Sequence, residues 1–299
     1  MTIPLQARGL RRTFRRPLRR TRVVAIAEAT FELGEGEIAC LIGPDRAGKT
    51  TLLGLAVGRM RPDAGRVWVA GIAAHETPAR RLVGFAPQHP AFPPGLTVRE
   101  VVSYAARCHA AGPARQALVR DAMDLAGLEA VGRRTAATLP LPDARRLLLA
   151  LAVLGERRVV LLDEPFTGLD AVTRRDIGER LQRLAAAGVA VLLSSSDPIG
   201  LERLVDTVLV LRAGRLVRVA PASALLGGRV LEVSLETPPV ELPPGFRMTT
   251  TGIETDLGHL SAEAALAACR AHRLAVRGSR VRLKTLEEAA FDAADILAR

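Results

Sequence analysis

Residues 43–50 read Gly43-Pro44-Asp45-Arg46-Ala47-Gly48-Lys49-Thr50, and this stretch decides the fold. It fits the pattern G-x-x-x-x-G-K-[ST], in which backbone N–H groups and a lysine surround the phosphates of a nucleotide. An apolar run at residues 37–42 precedes it, and a segment with helical character at residues 51–60 follows it. A phosphate-binding loop requires this order of strand, glycine loop and helix. The sequence therefore predicts an α/β protein of the P-loop class.

The chain carries a large positive charge that comes almost wholly from arginine. Its formal net charge is +11, and the only lysines are Lys49 and Lys284. A planar guanidinium cannot replace a compact ammonium where the backbone curls tightly around phosphates, so the rarity of lysine makes Lys49 informative. Eight arginines cluster in residues 8–22. Three interpretations of the cluster stay open: a solvated hairpin face, contact with anionic lipid or a membrane partner, and nucleic-acid binding.

The composition predicts a globular protein without membrane spans. Apolar residues make up 48% of the chain, which is typical of a protein with a packed core. No stretch reaches the roughly 18 uncharged apolar residues of a membrane helix. The basic N-terminus lacks the apolar core of a signal peptide. We therefore expect a cytoplasmic location.

The pattern along the chain predicts two domains. Residues from about 89 to 155 have helical character, and apolar strands alternating with helical segments follow. Those strands are predicted at 159–163, 188–193 and 207–211. We assign a first domain to residues 1–222, with a helical subdomain at about 89–155. A small C-terminal α/β domain at residues 223–299 would contain strands near 229–235, 246–253 and 275–283, and helices at 261–273 and from Thr285.

A second motif, Val159-Val160-Leu161-Leu162-Asp163-Glu164, is an apolar strand that ends in two carboxylates. Asp163 is predicted to bind Mg²⁺, directly or through water, and Glu164 to polarise the attacking water. Two acidic residues that merely cap a strand are the alternative. The segment Pro165–Asp170 that follows favours the catalytic interpretation.

Together these motifs resemble the nucleotide-binding subunit of ATP-binding cassette (ABC) transporters. The resemblance covers residues 5–220 and rests on the glycine loop, on Asp163-Glu164-Pro165 and on Gly168-Leu169-Asp170. It implies ATP and Mg²⁺ as cofactors, with Thr50, Gln88 and Asp163 at the metal and Asp170 in the loop of the dimer contact. The ATP-binding residues that it implies are Phe14, Gly43, Pro44, Asp45, Arg46, Ala47, Gly48, Lys49, Thr50, Thr51 and Gln88.

Two of these residues have specific roles by resemblance. Phe14 stands where the family stacks an aromatic ring on adenine, and Gln88 stands in the loop that senses Mg²⁺ and the attacking water. A structural role is the alternative for each residue taken alone. Arg46 occupies a position where many such loops have a third glycine, so a side chain there is expected to strain a backbone with positive φ. Its charge could also reach a phosphate.

The resemblance extends to exporters. Residues 96–100, Leu-Thr-Val-Arg-Glu, follow Gln88 as in many exporters, and Thr285–Phe291 is similar to the closing segment of drug- and polysaccharide-type exporters. An ordinary amphipathic helix is an equal alternative for that tail. The resemblance implies a separate transmembrane permease, peripheral attachment to the inner face of the cell membrane, and a head-to-tail homodimer or heterodimer of cassettes.

One departure from the family pattern lies at its signature segment, Leu-Ser-Gly-Gly-Gln, which grips the γ-phosphate held by the opposite subunit. The matching residues here are Leu139, Pro140, Leu141, Pro142 and Asp143. The prolines lack the N–H groups that would bind phosphate. The anion Asp143, if about 4 Å from a phosphate charge, would cost on the order of 4 kcal/mol in electrostatic repulsion at an effective dielectric constant of about 20. A helix start capped by Asp143 is a sufficient structural explanation of the segment.

The second departure is Ser196, which occupies the position of the histidine that touches the γ-phosphate in the family. Serine is shorter and carries no imidazolium charge. We expect ATP binding with slow hydrolysis, or a heterodimer with an intact partner cassette. A regulatory cassette that does not hydrolyse ATP is the main alternative. A DNA- or ribosome-acting ABC protein is less favoured, because the spacing from Lys49 to Asp163 leaves no room for a coiled-coil insert.

Overall fold

The computed structural model describes residues 2–15, 22–198, 200–225, 228–239, 241–249, 252–257 and 260–284. These residues form two compact units. The first contains the residues up to 197 together with 203–220, and the second contains 198–202 and the residues after 220. The predicted closing segment from Thr285 lies outside the described residues, as does part of the arginine cluster.

A ten-stranded mixed sheet is the centre of the first unit. Its strands are β1 (Leu5–Arg15), β2 (Arg22–Leu33), β3 (Ile38–Ile42), β4 (Ala64–Val69), β5 (Ile72–Ala73), β6 (Val83–Ala86), β7 (Val159–Leu162), β8 (Ala190–Ser195), β9 (Thr207–Arg212) and β10 (Arg215–Pro221). Their order across the sheet is β5-β4-β1-β2-β10-β9-β3-β8-β7-β6. Strands β1, β2, β4 and β5 pair antiparallel, whereas β3 pairs parallel with β8 and β9, and β7 pairs parallel with β6 and β8.

The burial of the strands follows from their sequences. Every residue of β3, β7 and β8 is buried, as expected of apolar strands in the middle of a parallel sheet. Strand β8 begins and ends two residues later than predicted, so Ser194 and Ser195 belong to it. Strand β6 is only four residues long and includes Gly84, so its sequence contains no apolar run long enough to predict a strand.

Six α-helices accompany this sheet in the described part of the unit. They are α1 (Lys49–Ala56), α2 (Thr77–Arg81), α3 (Val98–Ala106), α4 (Gly112–Ala126), α5 (Leu141–Ala152) and α6 (Ala171–Ala186). Helices α3, α4 and α5 lie within the predicted helical range and share a core that includes Val102, Met123 and Leu147. A capping box starts α3, because the Thr97 side chain accepts from the Glu100 N–H while the Glu100 carboxylate accepts from the Thr97 N–H.

The second unit has a small antiparallel sheet. Its strands are β11 (Arg229–Leu235), β12 (Phe246–Met248), β13 (Gly252–Asp256) and β14 (Val276–Leu283), in the order β12-β13-β11-β14, and its helices are α7 (Ala222–Leu225) and α8 (Ala262–Ala271). The prediction of one strand over 246–253 is wrong. Phe246 pairs with Thr255, so β12 and β13 are antiparallel neighbours and the chain reverses between them. None of the helices in the described part of the chain has the length and hydropathy of a membrane span.

Close packing of α5 on β6 yields a test of the fold. A Cβ at Gly84 would overlap the carbonyl oxygen of Ala152, so Gly84→Ala should lower the free energy of unfolding by about 1–3 kcal/mol. At Gly178, inside α6, a Cβ would lie 3.6 Å from Leu204, and alanine should stabilise the helix by up to about 1 kcal/mol. Urea unfolding of both variants measures the difference. Equal stability of Gly84→Ala and the unchanged chain would contradict this packing.

Candidate functional site

The candidate site lies at the edge of the sheet where β3, β7 and β8 end. Register pairs Ile42 with Ser195 and Leu162 with Leu193, so the residues that follow these parallel strands are neighbours. The glycine loop follows β3, the two carboxylates follow β7, and Ser196 follows β8. Ligand sites of parallel α/β sheets lie at this carboxyl edge.

The glycine loop has the backbone conformation that its sequence predicts. Gly48 has φ 109° immediately before α1, and a Cβ at this position would overlap the carbonyl oxygen of Ala25. Only glycine therefore fits there. Arg46 has φ 65°, so the predicted strain at a non-glycine residue is present, and it costs on the order of 1 kcal/mol. The side chains of Asp45, Arg46 and Thr50 are exposed.

Lys49 is buried, with 7% of its surface exposed. Its Nζ donates to the carbonyl oxygens of Gly43 at 2.7 Å and Pro44 at 3.3 Å, and it forms an ion pair with Glu164 Oε1 at 3.1 Å. An ammonium has three N–H donors. In this conformation all three have partners, and each partner belongs to the chain itself.

Glu164 accepts hydrogen bonds through its other oxygen. Its Oε2 accepts from Thr167 Oγ1 at 2.9 Å and from Ser196, whose N–H and Oγ lie 3.1 and 3.2 Å away. The side chain is 5% exposed, and the residue has φ 50°. Ser196 thus contacts Glu164 directly, although it lacks the positive charge of the histidine whose position it occupies.

Asp163 lies beside Ser194, a residue that the sequence did not single out. Ser194 Oγ donates to Asp163 Oδ1 at 2.7 Å and accepts from the Glu164 N–H at 2.9 Å. Asp163 is 2% exposed and Ser194 is fully buried. A pattern of three serines at the end of a strand gives no sign of which one faces the neighbouring strand.

Gln88 is half-buried, and its backbone is held by helix α5. The Arg145 guanidinium donates to the carbonyl oxygen of Gln88. Burial lowers the pKa of Arg145, while the charges of Glu164 and Asp163 oppose that shift. A cavity of about 10 Å³ lies between Pro87, Arg145 and Asp163, enough for one water molecule. Sequence reasoning missed Arg145, whose partner lies 57 positions earlier in the chain.

Phe14 lies at the surface near the end of β1, with 36% of its area exposed. The Arg12 guanidinium lies 4.9 Å from its ring centroid, close enough for a cation–π contact. An ion pair of 2.9 Å with Asp63 holds Arg12 there. The ring is therefore held against a cation rather than packed in the core, and its role with adenine stays a prediction.

The segment at the signature position begins a helix, but Asp143 does not cap it. Pro140 is the N-cap residue of α5, with no side-chain cap, and Asp143 lies in the first turn. That prediction was wrong because Pro140 already has the extended conformation that ends the preceding segment. Asp143 Oδ1 instead pairs with Arg146 Nη1 at 3.0 Å. Its charge is therefore partly compensated, and the repulsion expected from a lone anion is an overestimate.

Two other residues of this region have structural contacts. The Leu141 side chain lies against Gly168, where an added Cβ would be 2.9 Å away. Asp170 caps α6 by accepting from the N–H and the hydroxyl of Thr173, both at 2.9 Å, and these bonds lower the pKa of the Asp170 carboxyl. A structural role thus accounts for Asp170, and its part in a dimer contact stays a prediction.

The structure brings Lys49, Asp163, Glu164 and Ser196 into one network and adds Thr167 and Ser194 to it. No described hydrogen bond or ion pair joins Phe14 or residues 139–143 to this network. The network contains a buried cation, two buried carboxylates and several hydroxyl donors beside an exposed glycine loop. Such a set can hold phosphate groups at the loop and orient a water molecule at a carboxylate.

Comparisons with known proteins identify the family. Residues 26–167 match the family model described as ABC transporter. A Nod factor export ATP-binding protein of Paraburkholderia xenovorans is 35% identical over 204 residues, which are 67% of each chain. A sulfate/thiosulfate import ATP-binding protein of Gloeobacter violaceus is 34% identical over 198 residues, 65% of this chain and 58% of that protein.

A solved bacterial ABC transporter cassette, crystallised as a dimer, has the same fold. It superposes with a TM-score of 0.66 at 22% identity, covering 73% of this chain and 98% of that chain. A second structure, of the ATP-binding subunit of an ABC transporter, has a TM-score of 0.64 at 25% identity, covering 75% and 92% of the two chains.

The buried pair of Lys49 and Glu164 predicts strong energetic coupling in the ligand-free protein. Replacing one partner leaves the other charge buried alone, so Lys49→Met or Glu164→Gln should each destabilise the fold by about 3–5 kcal/mol. The double variant should cost about 1–3 kcal/mol less than the sum of the two single changes. Urea unfolding of the four proteins without nucleotide measures this cycle. Additivity within about 0.5 kcal/mol would show that the pair is not formed in solution.

Proposed function

The chain belongs to the ABC transporter family of ATP-binding cassettes, and we propose that it is the ATP-binding subunit of a transporter with a separate membrane permease. The observation that carries the proposal is the network at the carboxyl edge of the sheet. There the buried Lys49 joins the glycine loop to Glu164, and Asp163 lies beside them.

The first step is an exchange of partners at Lys49. Backbone N–H groups of the loop and the start of α1 favour anions, and Lys49 is the cation that completes this site. In the ligand-free protein its Nζ is bound to Glu164. Phosphates that bind in the loop compete for the same ammonium, so nucleotide binding would release Glu164 from its ion pair.

The residues that would hold Mg²⁺ have suitable donors. Thr50 is exposed directly after Lys49, Asp163 presents a carboxylate, and Gln88 has an amide oxygen, and Mg²⁺ prefers such oxygen ligands. When bound, Mg²⁺ would neutralise phosphate charge. Ser194 already fixes one oxygen of Asp163, so the carboxylate is oriented before any metal arrives.

Glu164 would accept the proton of the attacking water once Lys49 has left it. Its Oε2 is held by Thr167 and Ser196, which keep the carboxylate oriented after the exchange. These three donors occupy Oε2, so Oε1 is the oxygen that would accept the proton.

The start of α5 supports the proposal that an isolated pair of these chains hydrolyses ATP poorly. Pro142 has no N–H, Leu141 covers Gly168, and Asp143 carries a negative charge. A homodimer would place this surface opposite both nucleotides. We propose either slow turnover or a heterodimer whose partner cassette provides an intact signature.

A regulatory cassette that binds ATP without hydrolysing it is the second candidate. The observation in its favour is that Lys49, Thr167 and Ser196 all hold the Glu164 carboxylate. The direction of transport is proposed to be export, from the exporter-type sequence at residues 96–100 and the resemblance of the closing segment. Both import and export proteins occur among the relatives. We further propose attachment to the cytoplasmic face of the membrane through the permease.

Nucleotide binding is the first prediction of this proposal. Lys49→Ala removes the cation at the phosphates, and a charged hydrogen bond is worth about 1.5–3 kcal/mol. Affinity for a fluorescent ATP analogue should fall roughly ten- to a hundredfold, measured by titration with circular dichroism as a check of folding. Lys284→Ala, at the other lysine of the chain, is the matched control and should bind as the unchanged chain does. Equal binding by Lys49→Ala would refute the phosphate-loop assignment.

The second prediction concerns hydrolysis. The unchanged chain alone should release phosphate slowly. A variant with Pro140→Ser, Leu141→Gly, Pro142→Gly, Asp143→Gln and Ser196→His should turn over faster, because it regains backbone donors and a cation at the γ-phosphate. Phosphate release is measured for both proteins, each with and without Glu164→Gln.

The outcomes separate the two candidate functions. Faster turnover that Glu164→Gln abolishes supports a hydrolytic cassette impaired at its signature. No gain in a variant that still binds ATP and dimerises favours the regulatory cassette. Fast, Glu164-dependent hydrolysis by the unchanged chain would contradict the proposed impairment.

A further inference from the structure

Ser194 is a buried hydroxyl residue that bonds to both acidic residues of the site, and neither the sequence motifs nor the family pattern assigns it a role. It is the fifth residue of the six-residue strand β8. Leu162, the last residue of β7, pairs with Leu193. Asp163 and Ser194, which follow these two residues, are therefore neighbours at the end of β7. Ser194 is fully buried, so water does not compete for its hydroxyl.

The hydroxyl of Ser194 bonds to the side chain of Asp163 and to the backbone of Glu164. It donates to Asp163 Oδ1 at 2.7 Å and accepts from the backbone N–H of Glu164 at 2.9 Å. The first bond fixes the orientation of the Asp163 carboxylate through Oδ1, and Oδ2 takes no part in that bond. The second bond satisfies a buried backbone donor, which otherwise costs about 1–3 kcal/mol.

The backbone of Glu164 needs such a contact. It has φ 50°, a left-handed conformation that costs a residue with a side chain about 1–2 kcal/mol. The bond from its N–H to Ser194 helps to hold this turn, and the turn directs the Glu164 side chain to Lys49 and Ser196. One hydroxyl therefore fixes the side chain of one acidic residue and the backbone of the next.

We propose that Ser194 is a positioning residue for the metal–nucleotide site, acting through Asp163 and Glu164. This inference rests on the proposed function, because it assigns Asp163 to Mg²⁺. Residues that orient a metal ligand typically change metal affinity by about 10–100-fold when replaced. Ser194 should therefore control how strongly Mg²⁺ enhances nucleotide binding, and it should have little effect on binding without metal.

The chain contains a matched control in the next residue. Ser195 is 3% exposed and belongs to the same strand. Its Oγ accepts from the Asp197 N–H at 3.2 Å. Replacing either serine by alanine removes one buried hydroxyl, so a general loss of stability should affect both variants. Only the change at position 194 removes a bond to Asp163.

The experiment titrates the full chain with a fluorescent ATP analogue, first in EDTA and then at increasing Mg²⁺. Ser194→Ala should raise the apparent Mg²⁺ constant about tenfold or more while the affinity in EDTA stays within about twofold, a change of about 0.4 kcal/mol or less. Ser195→Ala should leave both values unchanged. Ser194→Thr, which keeps the hydroxyl, should restore the Mg²⁺ constant. Ser194→Cys, close in size but a weak donor, should lie between and serves if alanine or threonine disturbs folding.

Two results would overturn the inference while the proposed function stands. One is an equal loss of affinity in EDTA and in Mg²⁺ for Ser194→Ala. The other is a shift of the Mg²⁺ constant by Ser195→Ala as large as that by Ser194→Ala. If the unchanged chain binds no nucleotide at all, the proposed function fails, and the inference fails with it.

Discussion

The shared ending of three parallel strands is the constraint on which the rest of the site depends. Strands β3, β7 and β8 stop at the same edge, and the residues that follow them come from distant positions in the chain. A slip in this register would separate Lys49 from Glu164 and Ser194 from Asp163. Every residue of these strands is buried, so a shift by one residue would exchange the side chains of two packed faces and disrupt the close packing on both sides of the sheet.

Buried charge is the second constraint, and it explains the contacts that the charged residues of the site make. Lys49, Asp163 and Glu164 are all almost fully buried, and unpaired ions at such depth cost several kcal/mol each. The protein satisfies them with each other, with loop carbonyls and with hydroxyl groups. We propose that phosphate competes with Glu164 for Lys49, so that nucleotide binding and the release of Glu164 are one exchange.

Helix α5 forms a regular helix start although its sequence departs from the family pattern. Proline is tolerated in the first turn because the N–H groups there have no helical partner, and a negative residue in the first turn suits the helix dipole. Asp143 is further held by Arg146, which also pairs with Asp176 of α6 at 2.9 Å. The next residue back, Arg145, contacts the Gln88 loop. The helix is thus anchored at its start without any of the glycines expected there.

The sequence by itself determined the P-loop class, the phosphate loop, the two carboxylates, and the two departures at Leu139–Asp143 and Ser196. These are local patterns, in which residue types at a fixed spacing indicate the structure and the chemistry. The sequence also predicted the strain at Arg46, because it places a residue with a side chain at a loop position where positive φ favours glycine. The tertiary structure decided which groups meet. The roles of Thr167, Ser194 and Arg145, and the pairing of Lys49 with Glu164, depend on strand register and on contacts between residues far apart in the chain. The same holds for Asp143, whose sequence context suggested a cap, whereas the backbone of Pro140 sets the helix start and Arg146 is in reach only once the helix has formed.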